Sequence, residues 1–90
     1  MTNNNFISIA KATVALQGGV AVLDFFGVQT YLIKQPFDWV INETVQSDQN
    51  FEDLLKGLKK INSELDADIL ELQLSQFLSE SVEAKIIETT

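Results

Sequence analysis

The sequence predicts an α+β domain in which three or four helices pack on a small antiparallel hairpin, and three observations carry that expectation. Residues 20–34 are crowded with β-branched and aromatic side chains (Val20, Val22, Phe25, Phe26, Val28, Thr30, Tyr31 and Ile33), the composition of strands. Residues 50–60 place Phe51, Leu54, Leu55 and Leu58 at helical spacing, with acids at the start and lysines at the end. Gly18-Gly19 and Pro36 punctuate the chain on either side of the strand-rich run. An all-α bundle is the alternative, and the choice turns on residues 20–34.

Asn3, Asn4 and Asn5 form a polar lead-in, and each has the side chain of a helix cap. From there Phe6, Ile9, Ala10, Thr13 and Val14 recur at helical spacing, while Ser8, Lys11 and Ala15 lie off that stripe. A first helix is therefore expected over residues 5–17, with Gly18-Gly19 supplying the positive-φ residue that closes it. The next segment reads as strands at 20–25 and 28–34 joined by a turn at Phe26-Gly27. Neither strand alternates cleanly, because Asp24 and Phe26 share a face with Val20 and Val22. A helix over the same residues scatters Asp24, Gln29, Thr30 and Lys34 around its circumference. Residue type decides for the hairpin where periodicity does not.

Pro36 forces the preceding residue toward extended geometry and sets an element boundary. Proline suits the first turn of a helix, and Asp38 complements the positive end of its dipole. Phe37, Val40, Ile41, Thr44 and Val45 make one face of that helix. After the polar break Ser47–Asn50, Asn50 caps a further helix with Glu52 and Asp53 in its first turn and Lys56, Lys59 and Lys60 toward its end. Beyond Asn62-Ser63, Leu70, Leu72 and Leu74 alternate with Glu71, Gln73 and Ser75 in a strand-like period of two, although Leu, Glu and Gln are good helix formers. Ser75 is expected to cap a short helix carrying Phe77, Leu78 and Val82 as far as Ile86, and Thr89-Thr90 to fray.

Ninety residues make one domain, spanning 1–90. A hydrophobic fraction of 46% is ample for a core, and some of it is expected to be covered by self-association. The chain has no cysteine, no histidine and no arginine. It therefore lacks a disulfide framework, the commonest metal ligands, the usual near-neutral proton carrier and the planar fork that grips phosphate or carboxylate. The net charge of −7 is uneven: residues 1–45 carry −1 and residues 46–90 carry −6. Such a chain repels nucleic-acid phosphates and anionic headgroups, so neither direct nucleic-acid binding nor membrane association is expected. Acidity also simply keeps a small domain soluble. The run from Ala12 to Ile33 has the length of a membrane span, but an aspartate near mid-bilayer costs about 2.5–3.5 kcal/mol, so the run reads as buried core. The N-terminus has no positive n-region of a signal peptide, and a cytoplasmic location is expected.

Asp66-Ala67-Asp68 with Glu71 is the one carboxylate cluster suggestive of a cation. The third oxygen ligand, mid-loop glycine and distant glutamate of a calcium loop are missing, so it reads as a solvated acidic start to an element. No nucleophile has a histidine base or a glycine frame, so no catalytic residue and no cofactor is assigned and the chain is not expected to be an enzyme. Asn42-Glu43-Thr44 matches a glycosylation acceptor, a triplet common by chance. Phe37 and Trp39, with Tyr31, concentrate aromatics around Pro36. Trp39 lies off the apolar stripe, so Trp39 and Phe37 are the first candidate interface anchor; the alternative is that the tryptophan packs in the core. Leu70, Leu72 and Leu74 are the second, as a strand edge open to a partner strand.

Residues 50–87 read as a leucine-rich helix, an acidic connector and the run Ile-Leu-Glu-Leu-Gln-Leu-Ser-Gln-Phe-Leu entering a last helix. That cadence resembles the C-terminal half of small tail-assembly-chaperone proteins of tailed phages. The resemblance implies a helical scaffold for protein–protein contact without catalysis. The expected function is a non-enzymatic protein-binding module with a structural or assembly role, able to form a homo-oligomer. The alternative is a small acidic inhibitor that occupies a basic groove of a nucleic-acid-handling enzyme, using Asp66, Asp68 and Glu71.

Overall fold

A computed structural model of the chain describes residues 4–90. Among these, six strands and three helices alternate in the order β1 (Asn5–Ser8), β2 (Ala12–Leu16), β3 (Gly19–Leu23), β4 (Thr30–Lys34), α1 (Asp38–Gln46), β5 (Gln49–Asn50), α2 (Phe51–Ile61), α3 (Ala67–Glu83) and β6 (Ile87–Thr89). The fold is α+β, and the all-α alternative is set aside. In place of one hairpin there are two three-stranded antiparallel sheets, ordered β5-β1-β6 and β2-β3-β4.

The expected first helix over 5–17 is two strands. Three residues between β1 and β2 reset the strand phase, so two short strands mimic a helical stripe; Phe6 and Thr13 end up seven apart, the spacing of two helical turns. Gly18-Gly19 is accordingly no helix cap but part of a hairpin. Leu16 pairs with Gly19, leaving Gln17 and Gly18 as the turn, with Gly18 at φ +81°. Gly19 must also stay bare, because a Cβ there would collide with the Ile33 carbonyl oxygen of β4. Asn5 lies in β1 and its amide donates to Asp48 Oδ2 at 3.0 Å rather than capping a helix; the same role for Asn3 lies outside the described residues.

The β3–β4 hairpin forms where expected, with shorter strands and a longer loop. Asp24 organises that loop: Val28 N–H donates to Asp24 Oδ1 at 2.8 Å, Gly27 N–H to the Asp24 carbonyl at 3.0 Å, and Asp24 N–H to the Gln29 carbonyl at 3.0 Å. Asp24 does share the buried face of Val20 and Val22, whereas Phe26 lies beyond the strand and is exposed.

Helix α1 buries Val40, Ile41 and Thr44, and the Thr44 hydroxyl donates to the Val40 and Ile41 carbonyls, both at 3.0 Å. The acceptor-like triplet at 42–44 therefore contains a packing residue. Val45, expected on the same face, is exposed. Helix α2 has the expected cap, with Asp53 N–H donating to Asn50 Oδ1 at 2.8 Å, and buries Leu54, Leu55 and Leu58.

Helix α3 is one continuous element of 17 residues that starts well before the expected cap at Ser75. Leu70, Leu74, Leu78 and Ser81 form its buried stripe, so the period of two in Leu70-Leu72-Leu74 is a coincidence of a helix with leucines on two sides. Thr89 does not fray: it pairs with Phe6, and Thr90 N–H donates to the Asn5 carbonyl at 2.8 Å.

One apolar cluster joins Val20 and Val22 of β3 to the buried residues of α1, α2, α3 and Ile86-Ile87. The molecule measures 36 × 35 × 20 Å. Among the described residues no helix is long and apolar enough to cross a membrane.

Candidate protein-binding surface

The register of the β2-β3-β4 sheet sorts its residues onto two faces. Thr13 pairs with Val22 and Val22 with Tyr31, while Ala15, Val20 and Ile33 align in the same way; of these Val20, Val22, Tyr31 and Ile33 join the core, whereas at the β2 edge Thr13 is half-buried and Ala15 exposed. The rows Ala12–Leu23–Thr30, Val14–Ala21–Leu32 and Leu16–Gly19–Lys34 face away from it. On that outer face Val14 is 57% exposed and Leu32 70% exposed, and Leu16 is open as well. Lys34, at one corner, is its single charged side chain among the described residues. An antiparallel sheet with one free face ordinarily alternates polar and apolar residues, and this one does not.

The β3–β4 loop extends the apolar surface at the Leu23–Thr30 end of the sheet. Phe25 and Phe26 meet edge to face with ring centroids 5.3 Å apart, and Phe26 and Val28 are 63% and 77% exposed. The loop is anchored on both sides, so its aromatic rings stand on a fixed backbone. Phe25 N–H donates to the Lys85 carbonyl at 2.9 Å, and the Lys11 side chain lies against Gly27, which adopts φ +71°.

The residues singled out from the sequence lie elsewhere. Phe37 is half-buried and stacks on Phe77 of α3, with centroids 4.9 Å apart and planes at 21°. Trp39 is half-buried with its ring against Gly57 of α2, where a Cβ would collide with it. Both aromatics thus hold α1 against the other helices. Leu70 and Leu74 are fully buried on the inner side of α3 and form no strand edge, whereas Leu72 on the opposite side is exposed. Asp66 caps α3, accepting from Asp68 N–H at 2.8 Å; Asp68 sits in the first turn, and both are exposed, as is Glu71. Among the described residues, no group of three or more His, Cys, Asp or Glu side chains could hold a metal ion.

Sequence reasoning passed over Val14, Leu16, Leu32, Phe25, Phe26 and Val28, because the run 12–33 read as buried core. The signal was nevertheless present. A strand that fails to alternate because both of its faces are apolar is either covered twice or covered once and open to a partner.

Comparison with protein-family models, with curated proteins and with solved structures returns no match. The functional reading therefore rests on this chain's own residues and on the exposed apolar outer face of the β2-β3-β4 sheet.

Proposed function

We propose that this protein is a non-catalytic protein-binding module with a structural or assembly role, and that its binding face is the outer side of β2-β3-β4 with the adjoining Phe25–Val28 loop. The observation that carries the reading is the largely apolar character of a solvent-facing sheet, with Lys34 at one corner as its one charge among the described residues, in a chain whose net charge is −7. Six large apolar residues are exposed on the sheet and its loop, Val14, Leu16, Leu32, Phe25, Phe26 and Val28. Contact through such a face gains from burial, and its strength holds as salt rises. The resemblance of residues 50–87 to tail-assembly chaperones points in the same direction.

The test uses the immobilised full chain against a lysate of its host, washed at low and at high salt, beside the Leu32→Asp variant. A partner retained at high salt and lost with Leu32→Asp supports the reading. A partner that ignores Leu32→Asp, leaves at high salt and depends on Asp66, Asp68 and Glu71 would replace it with the acidic-inhibitor reading, in which the exposed carboxylates of α3 meet a basic groove.

A further inference from the structure

We propose that the outer face of β2-β3-β4 packs against the same face of a second copy of this chain, forming a two-fold dimer with its sheets stacked. This rests on the reading of that face as protein-binding, and it names the partner.

Charge decides between a second copy and other occupants. Ten of the thirteen carboxylates belong to residues 46–90, carried by α2, α3 and the segments around them. Two copies meeting through those helices would oppose like charges. The outer sheet face has no carboxylate, since Asp24 points inward and is buried. It is therefore the broad surface on which two acidic chains meet without opposing carboxylates, and stacking there leaves the acidic helices on the two far sides. A basic partner would gain nothing from a sheet face without carboxylates, and an acidic partner would find Lys34 on the sheet face, with Lys11 beside the loop.

Area and shape agree. A stable interface buries about 800 Å² per partner, and six exposed large apolar residues with their small neighbours on the sheet and its loop supply surface for one. Face-to-face sheets pack about 10 Å apart with inner residues interdigitating, and the row Val14–Ala21–Leu32 offers large side chains flanking a small one. An isologous contact needs one patch to serve both partners, and a flat three-stranded face meets that requirement.

The experiment measures the mass of the full chain by sedimentation from micromolar to millimolar concentration, for the wild type and for Leu32→Asp, Val14→Asp and Leu72→Asp. The wild type is expected as a dimer. Either sheet variant should weaken association by more than about a hundredfold, since each would bury an unpaired carboxylate. Leu72→Asp, equally exposed but on α3, should leave the mass unchanged. Raising salt should tighten the dimer, because screening reduces repulsion between two chains of charge −7.

Leu32 and Val14 together separate stacking from edge pairing, because β4 and β2 are the two edges of the sheet and a dimer joined through β4 edges survives Val14→Asp. Leu32 lies on β4, two strand spacings or about 10 Å from the β2 edge, so a dimer joined through β2 edges survives Leu32→Asp. A wild type that stays monomeric throughout overturns the proposal, as does a dimer indifferent to Leu32→Asp or to Val14→Asp. Should Leu32→Asp fail to fold by circular dichroism, Leu32→Thr replaces it with the same expected direction. A monomeric wild type whose capture of a different protein still needs Leu32 would overturn the dimer while leaving the protein-binding reading in place.

Discussion

The inner side of the helices and the outer side of the β2-β3-β4 sheet use similar side chains in opposite surroundings. Leu54, Leu58, Leu70 and Leu74 are fully closed off from solvent, while Val14, Leu32 and Val28 are more than half open. In α2 the leucines are offset by acids and lysines on the other side, so the helix has one face for the core and one for water. The sheet has no such offset: its inner face packs Val20 and Val22, and its outer face repeats the same chemistry toward solvent. Apolar residue type therefore does not locate the core here. What distinguishes the two regions is whether a polar face stands opposite the apolar one; where none does, as on this sheet, apolar side chains are left facing solvent.

The sharpest way to break this comparison is to make one truncation in both places. Leu74→Ala empties a closed site and should cost about 2–5 kcal/mol of unfolding free energy, whereas Leu32→Ala should stay within about 0.5 kcal/mol for the monomer. Urea denaturation at low protein concentration measures both. Equal losses would mean that the outer sheet face is covered within the chain itself.

A smaller effect is expected where α1 meets α2. Gly57→Ala raises intrinsic helix propensity by up to about 1 kcal/mol, but its methyl would overlap the Trp39 ring. Overpacking of this kind costs about 1–3 kcal/mol, so we expect net destabilisation with an altered tryptophan emission spectrum. A net gain in stability would show that Trp39 swings freely and was never a clamp.

The smallest effect belongs to the caps of the charged half. Asn50→Ala removes the acceptor for Asp53 N–H at 2.8 Å and should cost about 1 kcal/mol, with Asn50→Gly costing only a few tenths. Thermal melts of the two variants check the order, and self-association should be the same in both.

Legibility in the sequence followed the same divide. Helix α2 was readable in full, since its cap, leucine stripe and charge order all agree on one element. The β3–β4 hairpin was readable from residue type, although its failed alternation was taken as ambiguity rather than as a sign of an open apolar face. Residues 5–17 were misread because the break at 9–11 shifts the strand phase, and α3 because leucines on two sides of a helix imitate a strand. Neither error is visible locally; each is resolved by partners far along the chain, as β1 pairs with β5 and β6. Of the proposed surface, the residues were visible and their exposure was not.

By itself, the sequence determined the chemistry. It favoured an α+β domain over an all-α bundle and specified a strongly acidic second half, the Asn50 cap of α2, and the lack of histidine, cysteine and arginine. Only the tertiary structure decided which apolar residues are inside. Burial depends on what lies across from a side chain, and one face of the β2-β3-β4 sheet joins the shared apolar cluster with the buried residues of the helices and Ile86-Ile87. Val20 and Val22 therefore became core while Val14 and Leu32, in the same sheet and of the same character, became surface.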